Sequence, residues 1–277
     1  MYEERFTDVG GPGGLAYERY CAEIVTQAGL LADALPGADL SVQVPSCPGW
    51  SVNQLVRHLG GALRWSEEIV RTRAQQPPPE QEFRDLSPYV GEDPVMLADW
   101  LTEGAGQLAA TLLATGPDVD MWTPLPTIPR SPAFHARRMT HETAVHRADA
   151  ILALKSAYTL APDVAADTLD EWMELGSLPE MFDFHPRQRE LLGPGRTLRF
   201  KATDVRRPAG EASWLVDLTG DALAWRPSAE PAAVTVRGPL VELLLVIYCR
   251  RSVADAAVEI EGDTGLLDFW LERVTFG

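Results

Sequence analysis

From Leu15 onward, apolar side chains return at three- and four-residue steps: Tyr17, Tyr20, Cys21, Ile24, Val25, Ala28, Leu31 and Leu35. That spacing places them on one face of a helix, and Pro36-Gly37 predicts its stop. A second stripe, Leu55, His58, Leu59, Ala62, Trp65 and Ile69, follows the turn-forming stretch VPSCPGWS at 44–51. Ser51 with Gln54 three residues on reads as a capping box, so this helix should begin at Val52 and end before the prolines at 77–79. His58 is the polar member of the stripe and points inward, about two turns beyond the cap. A third helix opens at Asp93-Pro94, with Asp as cap and Pro at the first helical position, and runs through Leu97, Trp100, Leu101, Leu108 and Leu112 to Gly116. Pro117, Pro124, Pro126 and Pro129 predict an extended connection over 117–131, and the Pro-rich stretches 76–94 and 117–131 are expected to shape a pocket. Ser131-Pro132 then starts a fourth helix by the same cap logic, running to about Lys155. Four such helices predict an antiparallel bundle.

Past Pro162 the texture changes. One more helix is expected over 164–176, followed by strand-type runs at Thr197–Thr203, Trp214–Leu218, Leu223–Arg226 and Ala233–Val236. Trp214–Leu218 and Leu223–Arg226 flank Thr219-Gly220-Asp221-Ala222, a hairpin signal. Apolar-rich helices are expected at Leu240–Arg250 and Gly265–Val274, with a short strand at Ala257–Glu261 between them. The predicted fold class is therefore α+β: a loose tail over 1–14, a helical bundle over 15–158, and a smaller α+β domain over 159–277.

Composition narrows the partners. Apolar residues make up 45% of the 277 and charged residues 23%, ordinary for a soluble globular protein. The start of the chain has no leader pattern, and the longest apolar stretch, Leu240 to Cys249, is interrupted by Glu242 and is about half a membrane span. No membrane partner is expected. A net charge of −16 argues against a nucleic-acid partner, which needs clustered Lys and Arg. Three scattered cysteines, Cys21, Cys47 and Cys249, form neither a disulfide framework nor a four-cysteine zinc site and fit a reducing cytoplasm.

The chemistry concentrates on the fourth helix, in RRMTHETAVHRADA at 137–150. Glu142 and His146 are four residues apart and leave the same helical face one turn apart. A catalytic zinc site uses three protein ligands drawn from imidazole and carboxylate, plus one open position. Inward-facing His58 on another helix is the third candidate. His135, Met139, Glu142, His146 and Asp149 form one strongly polar stripe, and burying it requires either a metal or a hydrogen-bond network. Spacing alone leaves these two readings level. A His-Glu-x-x-His protease is excluded, because His146 comes one residue too late after His141-Glu142. Asp149 reads either as an outer partner for the second nitrogen of His146 or as a helix-face acid paired with Arg147. Cys47 precedes a helix N-terminus, where a thiolate is stabilised, but its Cys-Pro-Gly-Trp setting reads more simply as a turn whose Trp50 packs on the bundle.

Together, VPSCPGWSVNQLVRHLGG at 44–61 and RRMTHETAVHRADA at 137–150 resemble the mycothiol-dependent maleylpyruvate isomerase family. The resemblance implies a DinB-like metal-binding four-helix bundle followed by a smaller α+β, sterol-carrier-like domain. It implies zinc, or another divalent metal, on His58, Glu142 and His146. It further implies a low-molecular-weight thiol, mycothiol, as cosubstrate and an electrophilic small molecule as its acceptor, in an isomerase or S-transferase of actinobacteria. The family carries an arginine after a glycine near the end of the 240–250 helix. Here the matching candidate is Arg250, with Arg251 beside it, and Cys249 stands in place of the glycine. Two further readings stay open: a metal-binding stress, sensor or binding module without catalysis, and a second domain that carries an apolar ligand.

Overall fold

The computed structural model describes residues 14–80, 83, 92–207 and 210–274, so nearly all of the tail expected over 1–14, and much of the Pro-rich stretch 76–94, lie outside the described residues. The chain divides into two compact units, Met1–Tyr158 and Thr159–Gly277.

The first unit is built from α1 (Tyr17–Ala32), α2 (Val52–Thr72), α3 (Pro94–Thr115) and α4 (Pro132–Ala153). Each of α1 and α2 packs against both α3 and α4. The α2 start is as the capping box requires: the Ser51 side chain accepts from the Gln54 N–H, and the Gln54 side chain accepts from the Ser51 N–H. Asp93 caps α3 through the Val95 N–H, with Pro94 in the first turn. α4 also starts at its proline, but Ser131 makes no capping bond, and its buried hydroxyl has no hydrogen-bond partner among the described residues. Pro132, with φ already fixed for a helix, is enough to set that boundary.

Two expectations for α1 are corrected. The helix ends at Ala32, short of Leu35, which is buried beyond the helix end. Val25 is 44% exposed, because one residue past Ile24 it stands about 100° round the helix from the core. Close helix contact explains one glycine: a Cβ on Gly60 of α2 would lie 2.1 Å from the Trp100 ring of α3. α4 is the central element, buried at most positions from Ala133 to Ala153. Its polar residues therefore face protein, and each needs a partner there.

The second unit is α+β. A five-stranded sheet has the order β3-β2-β1-β4-β5, from β1 (Thr197–Arg207), β2 (Gly210–Asp217), β3 (Ala224–Pro227), β4 (Val234–Gly238) and β5 (Glu259–Gly262). β1 and β4 are parallel, with Phe200 opposite Val236, while β2 and β3 form the expected antiparallel hairpin. The helices are α5 (Pro162–Gly176), a single turn α6 (Met181–Phe184), α7 (Leu240–Ile247) and α8 (Thr264–Leu271). Trp214, Phe200 and Trp270 fill the core. α7 and α8 are each three residues shorter at the C-terminal end than their apolar runs suggest, and α6 with the 3-10 turn at 186–191 carries too short a pattern to be read from sequence. Among the described residues, no helix is long and apolar enough to cross a membrane.

Candidate metal centre

α4 pairs Glu142 with His146, and α2 sets the His58 ring beside His146. The imidazole rings of His58 and His146 lie edge to face, with centroids 5.2 Å apart. One turn before His146, the Glu142 Oε2 is 3.1 Å from His146 Nε2. Two donors bound at about 2.0–2.1 Å to one tetrahedral ion lie about 3.3 Å apart, so this pair is already at ligand spacing. By residue type, two imidazoles and a carboxylate are a donor set that suits a divalent metal such as zinc.

The surroundings differ on the two sides of His146. Its Nδ1 donates to Asp149 Oδ2 at 2.9 Å, and the other Asp149 oxygen accepts from the Ser46 hydroxyl at 2.6 Å. Cys47 Sγ lies 3.8 Å from Asp149 Oδ2. Trp50, from the same loop, tilts against His58 with ring centroids 4.8 Å apart. The Asp149 side chain has no exposed surface, His146 keeps 11% and Glu142 31%. The Nε2 side is thus the open one.

Charge follows this geometry. Burial alone would pull the His146 imidazole down, but hydrogen bonds to Asp149 and Glu142, reinforced by their charges, lift it to about 9. Burial lifts the Glu142 carboxyl, yet the Arg138 guanidinium and His146 outweigh this and hold it well below the usual carboxylate range. Arg138 Nε donates to Glu142 Oε1 at 3.1 Å, leaving Oε2 to face the imidazole.

The sequence pattern points to packing for Cys47 and Trp50 and gives no sign of Ser46. Among the described residues, the group with one donor atom each within 4.8 Å of the others is Cys47, His146 and Asp149, which shares only His146 with the expected set. The turn signal in SCPGW is visible in the chain; its landing point on Asp149, about a hundred residues away, is not. Arg250 lies in the second unit just past α7, where its Nη1 donates to the Tyr248 carbonyl at 2.7 Å. Cys249 before it takes φ +57°, the left-handed conformation natural to glycine, so the backbone keeps the shape a glycine would give.

The chain matches the mycothiol maleylpyruvate isomerase N-terminal domain over residues 21–151 and the C-terminal domain of the same enzymes over 163–269. It belongs to the mycothiol maleylpyruvate isomerase family. The fold agrees: a crystal structure of the mycothiol-dependent maleylpyruvate isomerase superposes with a TM-score of 0.56 at 17% identity, covering 90% of this chain and 95% of that one. A histidine-to-alanine mutant of that enzyme superposes with the same TM-score at 16% identity, with the same coverage of each chain. No curated protein matches the chain. At these identities the superpositions speak for the fold alone.

Proposed function

We propose that this member of the maleylpyruvate isomerase family is a zinc-dependent enzyme that activates mycothiol for addition to an electrophilic small molecule, as an isomerase or an S-transferase. The observation that supports the proposal is the pairing of Glu142 and His146, with donors 3.1 Å apart on the open side of the imidazole and the His58 ring of α2 beside them, 5.2 Å from His146 between centroids. Zinc, when bound, supplies an open position at which a thiol loses its proton near neutral pH.

The chain's own residues do the rest. His58, Glu142 and His146 would hold the cation. Arg138 keeps Glu142 ionised and fixes which oxygen faces inward. Asp149 keeps the Nδ1 proton of His146, so that Nε2 is the donor nitrogen. Arg250, in the second unit, is offered by the family resemblance alone as a partner for an anionic group. Addition of the thiolate to a carbon–carbon double bond conjugated to a carbonyl leaves a single bond that can rotate. Expulsion of the same thiolate then restores the double bond in the other geometry, whereas protonation of the adduct and its release makes the protein a transferase. The reducing cytoplasm, where such a thiol is kept, is the proposed compartment.

Metal analysis of the purified wild type and of His58→Ala, paired with a screen of thiols against electrophiles, tests the proposal. Stoichiometric zinc in the wild type, reduced zinc in the variant and thiol-stimulated turnover are expected. A wild type free of metal after purification without chelator overturns it. Metal with no turnover across the panel would favour a non-catalytic sensor or binding module.

A further inference from the structure

His146 has two faces, and each could take a cation. On the Nε2 face stands Glu142, and the His58 ring lies 5.2 Å from the imidazole between centroids. On the Nδ1 face stand Asp149 and Cys47. A neutral imidazole coordinates through one nitrogen and donates from the other, so the protein has to fix which is which.

The loop before α2 is built to do so. Its backbone is closed by Val44 N–H to the Trp50 carbonyl at 2.9 Å, Cys47 N–H to Val44 at 3.1 Å and Trp50 N–H to Cys47 at 3.0 Å. Within the last of these turns, Pro48 and Gly49 occupy the central positions, and Gly49 takes φ +85°, which a type II turn demands at that place. The closed loop presents Ser46 to one oxygen of Asp149 and Cys47 to the other, while Trp50 lies against His58. Asp149 is fully enclosed and both of its oxygens are engaged, one by Ser46 and one by His146. A cation on that face would have to displace the bond from His146 Nδ1. The Nε2 face has no such enclosed partner, since the Glu142 side chain beside it keeps 31% exposure.

Building on the metal-centre reading above, we propose that Ser46, acting through Asp149, is a positioning residue that reserves Nδ1 of His146 as a hydrogen-bond donor and commits Nε2 to the metal. Cys47 borders the centre and is not one of its ligands. Trp50 orients the His58 ring from the same loop, so a single segment sets both imidazoles.

Cobalt(II) titration of the metal-stripped full-length protein tests this, with Asp149→Ala, Ser46→Ala, Ser46→Thr and Cys47→Ser as variants. Loss of an outer-shell partner typically weakens metal binding about 10- to 100-fold, and that is the loss expected for Asp149→Ala. Ser46→Ala should lose less, in the same direction, and Ser46→Thr, which keeps the hydroxyl, should recover it. Without added thiol, the cobalt spectrum should show no thiolate charge-transfer band and should be unchanged by Cys47→Ser. Wild-type affinity in both Asp149→Ala and Ser46→Ala overturns the proposal while leaving the metal centre intact. So does a thiolate band that vanishes in Cys47→Ser, which would put the metal on the Nδ1 face. A wild type that takes up no cobalt removes the metal centre and this proposal together. Circular dichroism on each variant separates misfolding from lost coordination, and the Cys47→Ser spectrum decides the question even if Asp149→Ala does not fold.

Discussion

The two ends of α4 each carry a buried histidine on the same face, eleven positions or about 16 Å apart, and they have opposite chemistry. His135 sits among neutral groups: its Nδ1 is 3.3 Å from the Ser66 hydroxyl and its Nε2 is 2.9 Å from the Trp122 carbonyl. Burial pushes its pKa down, and the single carbonyl bond only partly opposes this. His146 sits between two carboxylates, and the same burial is overcome, leaving it at about 9. Burial makes a histidine inert or cationic according to the charge of its neighbours. On the proposed reading, only the end with carboxylates would attract a metal.

The largest effect should come from His146→Ala. Losing a ligand outright should weaken zinc binding by more than the about 10- to 100-fold typical of an outer-shell partner, and thiol-dependent turnover should vanish with it. His135→Ala should do the reverse. It leaves the Trp122 carbonyl and the Ser66 hydroxyl without their partner and opens a void, at a cost of about 3 kcal/mol in denaturant unfolding, with zinc content unchanged. If His135→Ala lowers zinc content in protein that is still folded, the two ends are not independent and the comparison fails.

How far this division could be read from the chain depends on distance. The caps at Ser51 and Asp93 and the proline at 132 are local signals, and the helices start where those signals lie. His58, Glu142 and His146 could be proposed from the chain because helical periodicity puts Glu142 and His146 on one face and the family motifs pair them with His58. The contacts that separate His135 from His146 are not local. Ser66 is 69 residues from His135, and Ser46 is 103 from Asp149. A serine carries no periodic signature, so neither partner can be named before the helices are packed. The helix ends at Ala32, Ile247 and Leu271 fall short of expectation for a related reason: a buried apolar residue beyond each end, Leu35, Tyr248 or Val274, carries the apolar pattern past the helix.

Acid and base titrations should pull the two ends apart next. His135 has a folded pKa below its unfolded value of about 6.5, so its neutral form favours the fold. Its contribution is complete above that value and is lost as pH falls below it, by up to about 1.4 kcal/mol per pH unit. His146 in metal-stripped protein has a raised folded pKa, so its contribution is complete below about 6.5 and is lost as pH rises through about 9. Loading zinc replaces the proton on Nε2 and should abolish the alkaline limb while leaving the acid limb in place. Unfolding free energies against pH, with and without zinc, check both signs. An alkaline limb that persists unchanged in the zinc form would mean that His146 is not the group responsible.

The smallest and sharpest contrast is between two serines. Ser66→Ala removes the hydroxyl beside His135 Nδ1, in a position only 1% exposed, where no solvent replaces it. The expected cost is about 1 kcal/mol of stability, because one neutral hydrogen bond is lost and its partner stays buried. Zinc affinity should not move, since effects at sites more than about 10 Å apart are normally additive. The Ser46→Ala substitution has a similar size, yet it should change zinc affinity, because its hydroxyl leads through a charged carboxylate to a ligand nitrogen. Equal effects of the two serines on zinc would show that α4 transmits packing along its whole length, and that the division between its ends is one of degree.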